Sequence, residues 1–174
     1  MYYRITRTKV YIASSRNAPV PAVELWLRID DQDTTRPGWP DIQACVQQAN
    51  AASTGGEVLV APPRDESPAG QFVGLVLALL EHAGNSAGYS KILPGNSEGR
   101  YLVLVEYEDS QTVLYASELA AEVLNAAGAG HGLPDKAAVG WLQHLLDDFL
   151  AFSLPRRLDP NSRLLIQAAR RLEI

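Results

Sequence analysis

The side chains able to ligate a metal, attack a carbonyl or shuttle a proton are few in this chain and far apart. There are three histidines, His82, His131 and His144, and one cysteine, Cys45. No two histidines stand at the i, i+4 spacing that brings imidazoles onto one metal ion. His144 and Asp148 share a helix face, with Asp147 beside them; that is half a metal site at most, and a solvated ion pair is the preferred reading. His82 falls in the last turn of a predicted helix, where an imidazolium complements the helix dipole. Cys45 lies on the apolar face of another predicted helix and reads as an inert core thiol. Ser14, Ser15, Ser53 and Ser67 have no histidine at a recognisable nucleophile-elbow position. Gly128-Ala129-Gly130-His131-Gly132 has the composition of a phosphate cradle. It follows a predicted helix, however, whereas a cradle follows a strand and opens a helix, so it reads as a hinge. Neither a catalytic residue nor a metal ligand is assigned.

Charge says more than any single residue. The first thirty residues carry Arg4, Arg7, Lys9, Arg16 and Arg28 against Glu24 and Asp30, whereas residues 98–122 hold six acids against Arg100 alone. A zwitterionic, chain-like ligand needs patches of both signs, but an ordinary solvated surface is the preferred account of them. Fifteen basic against twenty acidic residues leave a net charge of −5. That balance disfavours nucleic acid as a partner.

The elements that must position these groups follow from periodicity. A chain of 174 residues with 47% hydrophobic and 20% charged side chains has the size and composition for one well-cored domain. Met1 is followed by Tyr2-Tyr3-Arg4 rather than a basic and then apolar leader, and the longest apolar run, residues 72–80, is far short of the roughly 20 residues of a membrane helix. With a lone cysteine suited to a reducing compartment, the expected location is the cytoplasm.

Near-alternation predicts strands over 3–13 and 23–30 around the turn residues 17–21. A helix is predicted to open at Pro40-Asp41 with Ile42, Cys45, Val46 and Ala49 on one face, and a short strand follows at 58–60. Ser67 and Pro68 predict the start of a core helix, apolar nearly all round, that ends at Gly84. Residues 101–107 predict the central strand. Further helices are predicted over 116–127, from Pro134-Asp135 onward, and after Pro160.

The run Ala83-Gly84, Gly88-Tyr89-Ser90 and Gly99-Arg100-Tyr101-Leu102-Val103-Leu104-Val105-Glu106-Tyr107, continued by Ala120-Ala121-Glu122-Val123-Leu124, resembles the N-terminal domain of cyanophycin synthetases. The segment from Leu158-Asp159-Pro160 to Ala168-Ala169 is similar to that with which the family enters its ATP-grasp ligase domain. The resemblance implies a cyanophycin-synthetase-like domain over residues 1–150. It also implies a linker and the start of the ligase segment over 151–174, with the ligase unit beginning near Ile174. The parent would be an ATP-dependent amino-acid ligase. ATP and Mg would belong to that missing unit, and this chain itself would need no cofactor.

Some family members carry an inverted zinc motif on the core helix. Aligned through Ala83-Gly84, its places here are Gly70, Val73, Gly74 and Ala78, or Gln71, Gly74 and Leu75 after a shift of one. None of these supplies an imidazole or a carboxylate, so no hydrolase activity is expected. Binding is what the resemblance carries over. Arg64, Asp65 and Glu66 before the core helix, with Lys91 and Arg100 before the central strand, would hold an aspartate/arginine-type peptide or polymer.

The expected protein is thus α+β, a small mixed or antiparallel sheet packed with about four helices, one of them buried. Its expected role is to tether peptide and to assemble, as a homo-oligomer, with a ligase domain in cis or in a partner subunit. The alternatives are a purely structural oligomerisation domain and a divergent metallopeptidase-like domain using His82, His131 and His144.

Overall fold

Tyr3 and Ile5 alternate with Arg4 at the start of the first strand, and Val23, Leu25, Leu27 and Ile29 alternate with Glu24, Trp26 and Arg28 in the second. A strand puts such alternate residues on opposite faces. The computed structural model, which describes residues 2–30, 42–44, 46–47, 65, 67–85, 87–129 and 136–171, contains both as strands β1 (Tyr2–Tyr11) and β2 (Ala22–Asp30). They join β3 (Ser90–Pro94) and β4 (Arg100–Glu106) in one antiparallel sheet of order β1-β2-β4-β3. The fold is α+β. β4 is an inner strand, as its double-sided apolar sequence predicts, while β3 was not expected. Tyr3, Val23, Leu25, Leu27, Ile29, Val103 and Val105 belong to the main core. Leu104 points the other way and meets Ala18 and Ala22, with Tyr89 and Leu93 packed around them.

Helix α1 (Pro68–His82) starts where the sequence places it. Ser67 Oγ accepts a hydrogen bond from the Gly70 N–H at 3.0 Å. Asp65 in turn accepts from the Ser67 N–H at 2.8 Å and from its hydroxyl at 2.7 Å. The end is equally defined: the Gly84 N–H donates to Glu81 O and the Asn85 N–H to Leu80 O, with Gly84 at φ +73°. These are the paired bonds of a Schellman stop, which needs the left-handed conformation glycine adopts at low cost. Phe72, Leu75, Val76, Leu79 and Leu80 are all buried. The helix is covered on one side by β2, β3 and β4 and on another by α2 (Ser110–Ala129).

Helix α2 begins at Ser110 rather than at residue 116, because Asp109 accepts from both the N–H and the hydroxyl of Thr112, at 2.8 and 2.7 Å. It packs on β1, β2 and α1, and on its other side on α3 (Lys136–Ser153). There Tyr115 meets Phe149 and Phe152 edge-to-face, with ring centroids 5.5 and 5.2 Å apart. Residue 150, where the sequence divides the chain, falls within α3, and a short 3-10 turn (Leu154–Arg156) follows that helix. Helix α4 (Pro160–Arg171) completes the described chain and leaves Leu164, Leu165 and Ile166 exposed. Residues 42–44 and 46–47 are helical, and Ile42 and Val46 enter the core. Cys45, the strand expected over 58–60, and the helix start at Pro134-Asp135 lie outside the described residues. Among the described residues no helix is long and apolar enough to cross a membrane.

Candidate functional site: a groove at the edge of the sheet

Because β1 is the outermost strand on its side, alternate residues along it direct their N–H and C=O groups away from the sheet. At Tyr3 those groups are satisfied by a side chain. Its N–H donates to Asn125 Oδ1 at 2.7 Å, and Asn125 Nδ2 donates to the Tyr3 carbonyl at 3.0 Å. The amide of α2 thus stands where a neighbouring strand would. The Tyr3 hydroxyl reaches Gln71 Oε1 of α1 at 3.5 Å, so one residue joins the strand to both helices. Two residues on, Ile5 faces the same edge by the same alternation, until the bulge between Ile5 and Arg7 changes the register.

Beyond Asn125 a groove of about 370 Å³ opens between β1 and α2. One wall carries Arg4 and Arg7. The other carries Glu118, Ala121, Glu122 and Asn125, at helical spacings of three and four and therefore in one stripe. Both arginines and both glutamates are exposed. Arg7 lies 4.9 Å from the centroid of the Trp26 ring, which steadies its guanidinium. None of the four charged groups has an ion-pair partner among the described residues. Behind the helix, burial raises the pKa of Tyr115, and the negative charges of Asp148 and Glu118 raise it further. The phenol therefore stays neutral at pH 7, on the side of α2 that meets Phe149 and Phe152.

Such an arrangement can hold a chain. An extended peptide adds to an open strand edge through its backbone, while carboxylates and guanidinium groups along it meet partners of opposite sign on the two walls. Arg4 and Arg7 of the basic block and Glu118 and Glu122 of the acidic one line the groove, although charge along the sequence does not by itself mark a site. The available signal was the stripe of Glu118, Ala121, Glu122 and Asn125.

Of the residues the sequence proposed for binding, Lys91 and Arg100 are exposed on the sheet face opposite the main core. Lys91 stands opposite Leu104, so the two cations are separated along the ladder by roughly 13 Å. Asp65 is engaged by Ser67 at the head of α1, which covers the core face. Arg64 and Glu66 lie outside the described residues.

The positions that the resemblance aligns with a zinc motif fall inside α1. Gly70, Val73 and Ala78 are buried, and a Cβ at Gly70 would overlap the Asp65 carbonyl. No side chain fits there without moving the helix cap. His82 ends α1 and His144 is exposed on α3, while His131 lies outside the described residues. Among the described residues no three His, Cys, Asp or Glu side chains are grouped to hold a metal ion. No protein-family profile matches the chain, and no curated protein matches it.

Proposed function

We propose that this domain is a non-catalytic holder of mixed-charge peptide or polymer, of the aspartate/arginine type that the resemblance to cyanophycin synthetases implies. It would work beside an ATP-grasp ligase unit in the same chain or in a partner subunit. The observation supporting this reading is the groove between the β1 edge and α2, whose lining brings together Arg4, Arg7, Glu118 and Glu122. A strand edge binds any extended backbone, whereas paired walls of opposite charge select chains that carry both signs. Exposed pairs of this kind give weak contacts individually. A polymer presenting many repeats would be retained through rebinding, yet each repeat would leave quickly enough to reach an active site.

The test is a titration of the isotope-labelled chain with a short branched aspartate-arginine peptide, read by amide shifts. Saturable changes confined to residues 3–8 and 118–125 are expected, and they should weaken when Glu122 is replaced by Gln. Peptides carrying only one sign of charge should bind several-fold more weakly. Absence of shifts at millimolar peptide would remove the tethering role.

A second reading, a structural oligomerisation domain, draws on the exposed Leu164, Leu165 and Ile166 of α4. Sedimentation that depends on concentration in a chain that binds no peptide would favour it.

A further inference from the structure

The ladders of β1, β2 and β4 place three arginines abreast. Arg4 is opposite Arg28, and Arg28 is opposite Arg100. Directly opposed residues project to the same face, and like charges so placed destabilise a sheet. The row is therefore an expensive feature in a chain whose acids outnumber its bases by twenty to fifteen. All three residues are exposed. Arg28 pairs with Asp30 at 2.7 Å, whereas neither Arg4 nor Arg100 has an ion-pair partner among the described residues. The backbone holds the row in place. The Ile29 N–H donates to the Gly99 carbonyl at 2.7 Å, and Gly99, at φ +71°, leaves only 2.5 Å between a would-be Cβ and the Ile29 carbonyl oxygen. The turn before Arg100 is thereby pinned to the end of β2 beside Arg28.

We infer that Arg4, Arg28 and Arg100 form a binding site for a compact dianion of the phosphate class. Three guanidinium groups less the Asp30 carboxylate leave a surplus of two positive charges, and a phosphate monoester carries about −1.5 to −2 at pH 7. Planar guanidinium forks match phosphate oxygens in pairs, and neighbouring strands under 5 Å apart let long side chains from all three converge on one group. A single carboxylate would leave a positive charge uncompensated. Arg28 and Arg100 do not line the groove at the β1 edge, and Arg4 is the residue that the two sites share, so shifts at Arg28 and Arg100 separate this site from the peptide-holding role.

The measurement is a titration of the isotope-labelled full chain with inorganic phosphate at low salt, following the arginine side-chain N–H signals. Acetate at matched ionic strength serves as control, and glycerol phosphate tests whether an esterified phosphate is accepted. Saturable shifts at Arg4, Arg28 and Arg100 that exceed those at Lys9 and Lys91 are expected with phosphate and glycerol phosphate but not with acetate. Arg100→Gln should weaken binding about fivefold or more while holding or raising the thermal midpoint, because one like-charge contact is removed. Linear shifts shared by all surface cations, binding unchanged by Arg100→Gln, or acetate acting like phosphate would each overturn the assignment. An aspartate peptide that occupies the row when phosphate does not would overturn it as well.

Discussion

At Gly84 the backbone turns with φ +73° to end α1, and the guanidinium of Arg157 occupies the space where a Cβ would stand. The cation thus lies at the negative end of the helix dipole. Replacing Gly84 by Ala forces an L-residue into the left-handed region, which costs about 1–2 kcal/mol, and displaces Arg157 as well. Arg157→Ala alone keeps the turn and should cost less than about 1 kcal/mol. Urea unfolding of both single variants and the double variant should therefore show a sum that is not additive, since Gly84→Ala already breaks the contact that Arg157→Ala removes. Independent, additive costs would mean that the two residues are not coupled. The sequence made half of this legible. Ala83-Gly84 after an apolar run announces a helix end on local grounds, but nothing local ties it to an arginine beyond α3. Asn125 shows the same limit, for mid-helix it reads as one more polar residue until β1 is brought beside it.

Among the elements, those with strong local signals were readable. Ser67-Pro68 opened α1 as expected, and the alternation of β2 and the unbroken apolar centre of β4 gave both strands. β3 escaped because Ser90-Lys91-Ile92-Leu93-Pro94 contains only two adjacent apolar residues before a proline; it becomes a strand by pairing with β4. The early start of α2 escaped because Asp109 stands in a run of acids just after β4 and Thr112 in a polar stretch, and their hydrogen bonds mark the cap only once the turn has formed. α4 carries a similar cap. Asp159 accepts from the Asn161 and Ser162 N–H groups, each at 3.0 Å, and from the Ser162 hydroxyl. The Ser162 hydrogen bond, above all, holds its carboxyl below the usual carboxylate range. A group whose pKa is depressed by folding stabilises the fold above its ordinary value, near 3.9 for Asp, and that contribution is lost as pH falls through the depressed value. The first turn of α4 should thus fray in acid below about pH 4, seen as loss of the Asn161 and Ser162 amide shifts. Asp159→Asn should keep the cap at neutral pH and abolish this acid-dependent step, since Asn caps about as well as Asp without titrating. An identical acid profile in that variant would show that the fraying has another origin.

At the scale of the molecule, the described helices α1 and α2 lie on one face of the sheet, with α3 stacked on α2, while the other face carries the arginine row and a small satellite cluster around Leu104. Apart from that satellite, the buried apolar residues of the sheet and of α1, α2 and α3 belong to one core. How far that unit extends toward the C-terminus follows from what each segment touches. Phe149 and Leu150 are buried in it, and the buried Ser153 hydroxyl donates to the Phe149 carbonyl at 2.7 Å. Arg156 lies 3.7 Å from the centroid of the Phe152 ring and donates to the Phe152 carbonyl at 2.7 Å, and Arg157 reaches back to Gly84. From Leu158 onward the side-chain hydrogen bonds among the described residues are local: Asp159 caps its own helix, and Leu164 and Leu165 are exposed. A chain ending after Arg157 should therefore unfold within about 0.5 kcal/mol of the full chain, the range of changes that touch no packed feature. One ending after Ser153 loses the Arg156 and Arg157 contacts and should be destabilised by about 1–2 kcal/mol. Chemical denaturation of the three lengths, at one protein concentration so that association does not shift the midpoint, makes the comparison. A large loss on removing only residues 158–174 would mean that the exposed apolar side chains of α4 contribute to stability through association with another copy. That outcome would transfer weight from the peptide-holding groove to the oligomerisation reading.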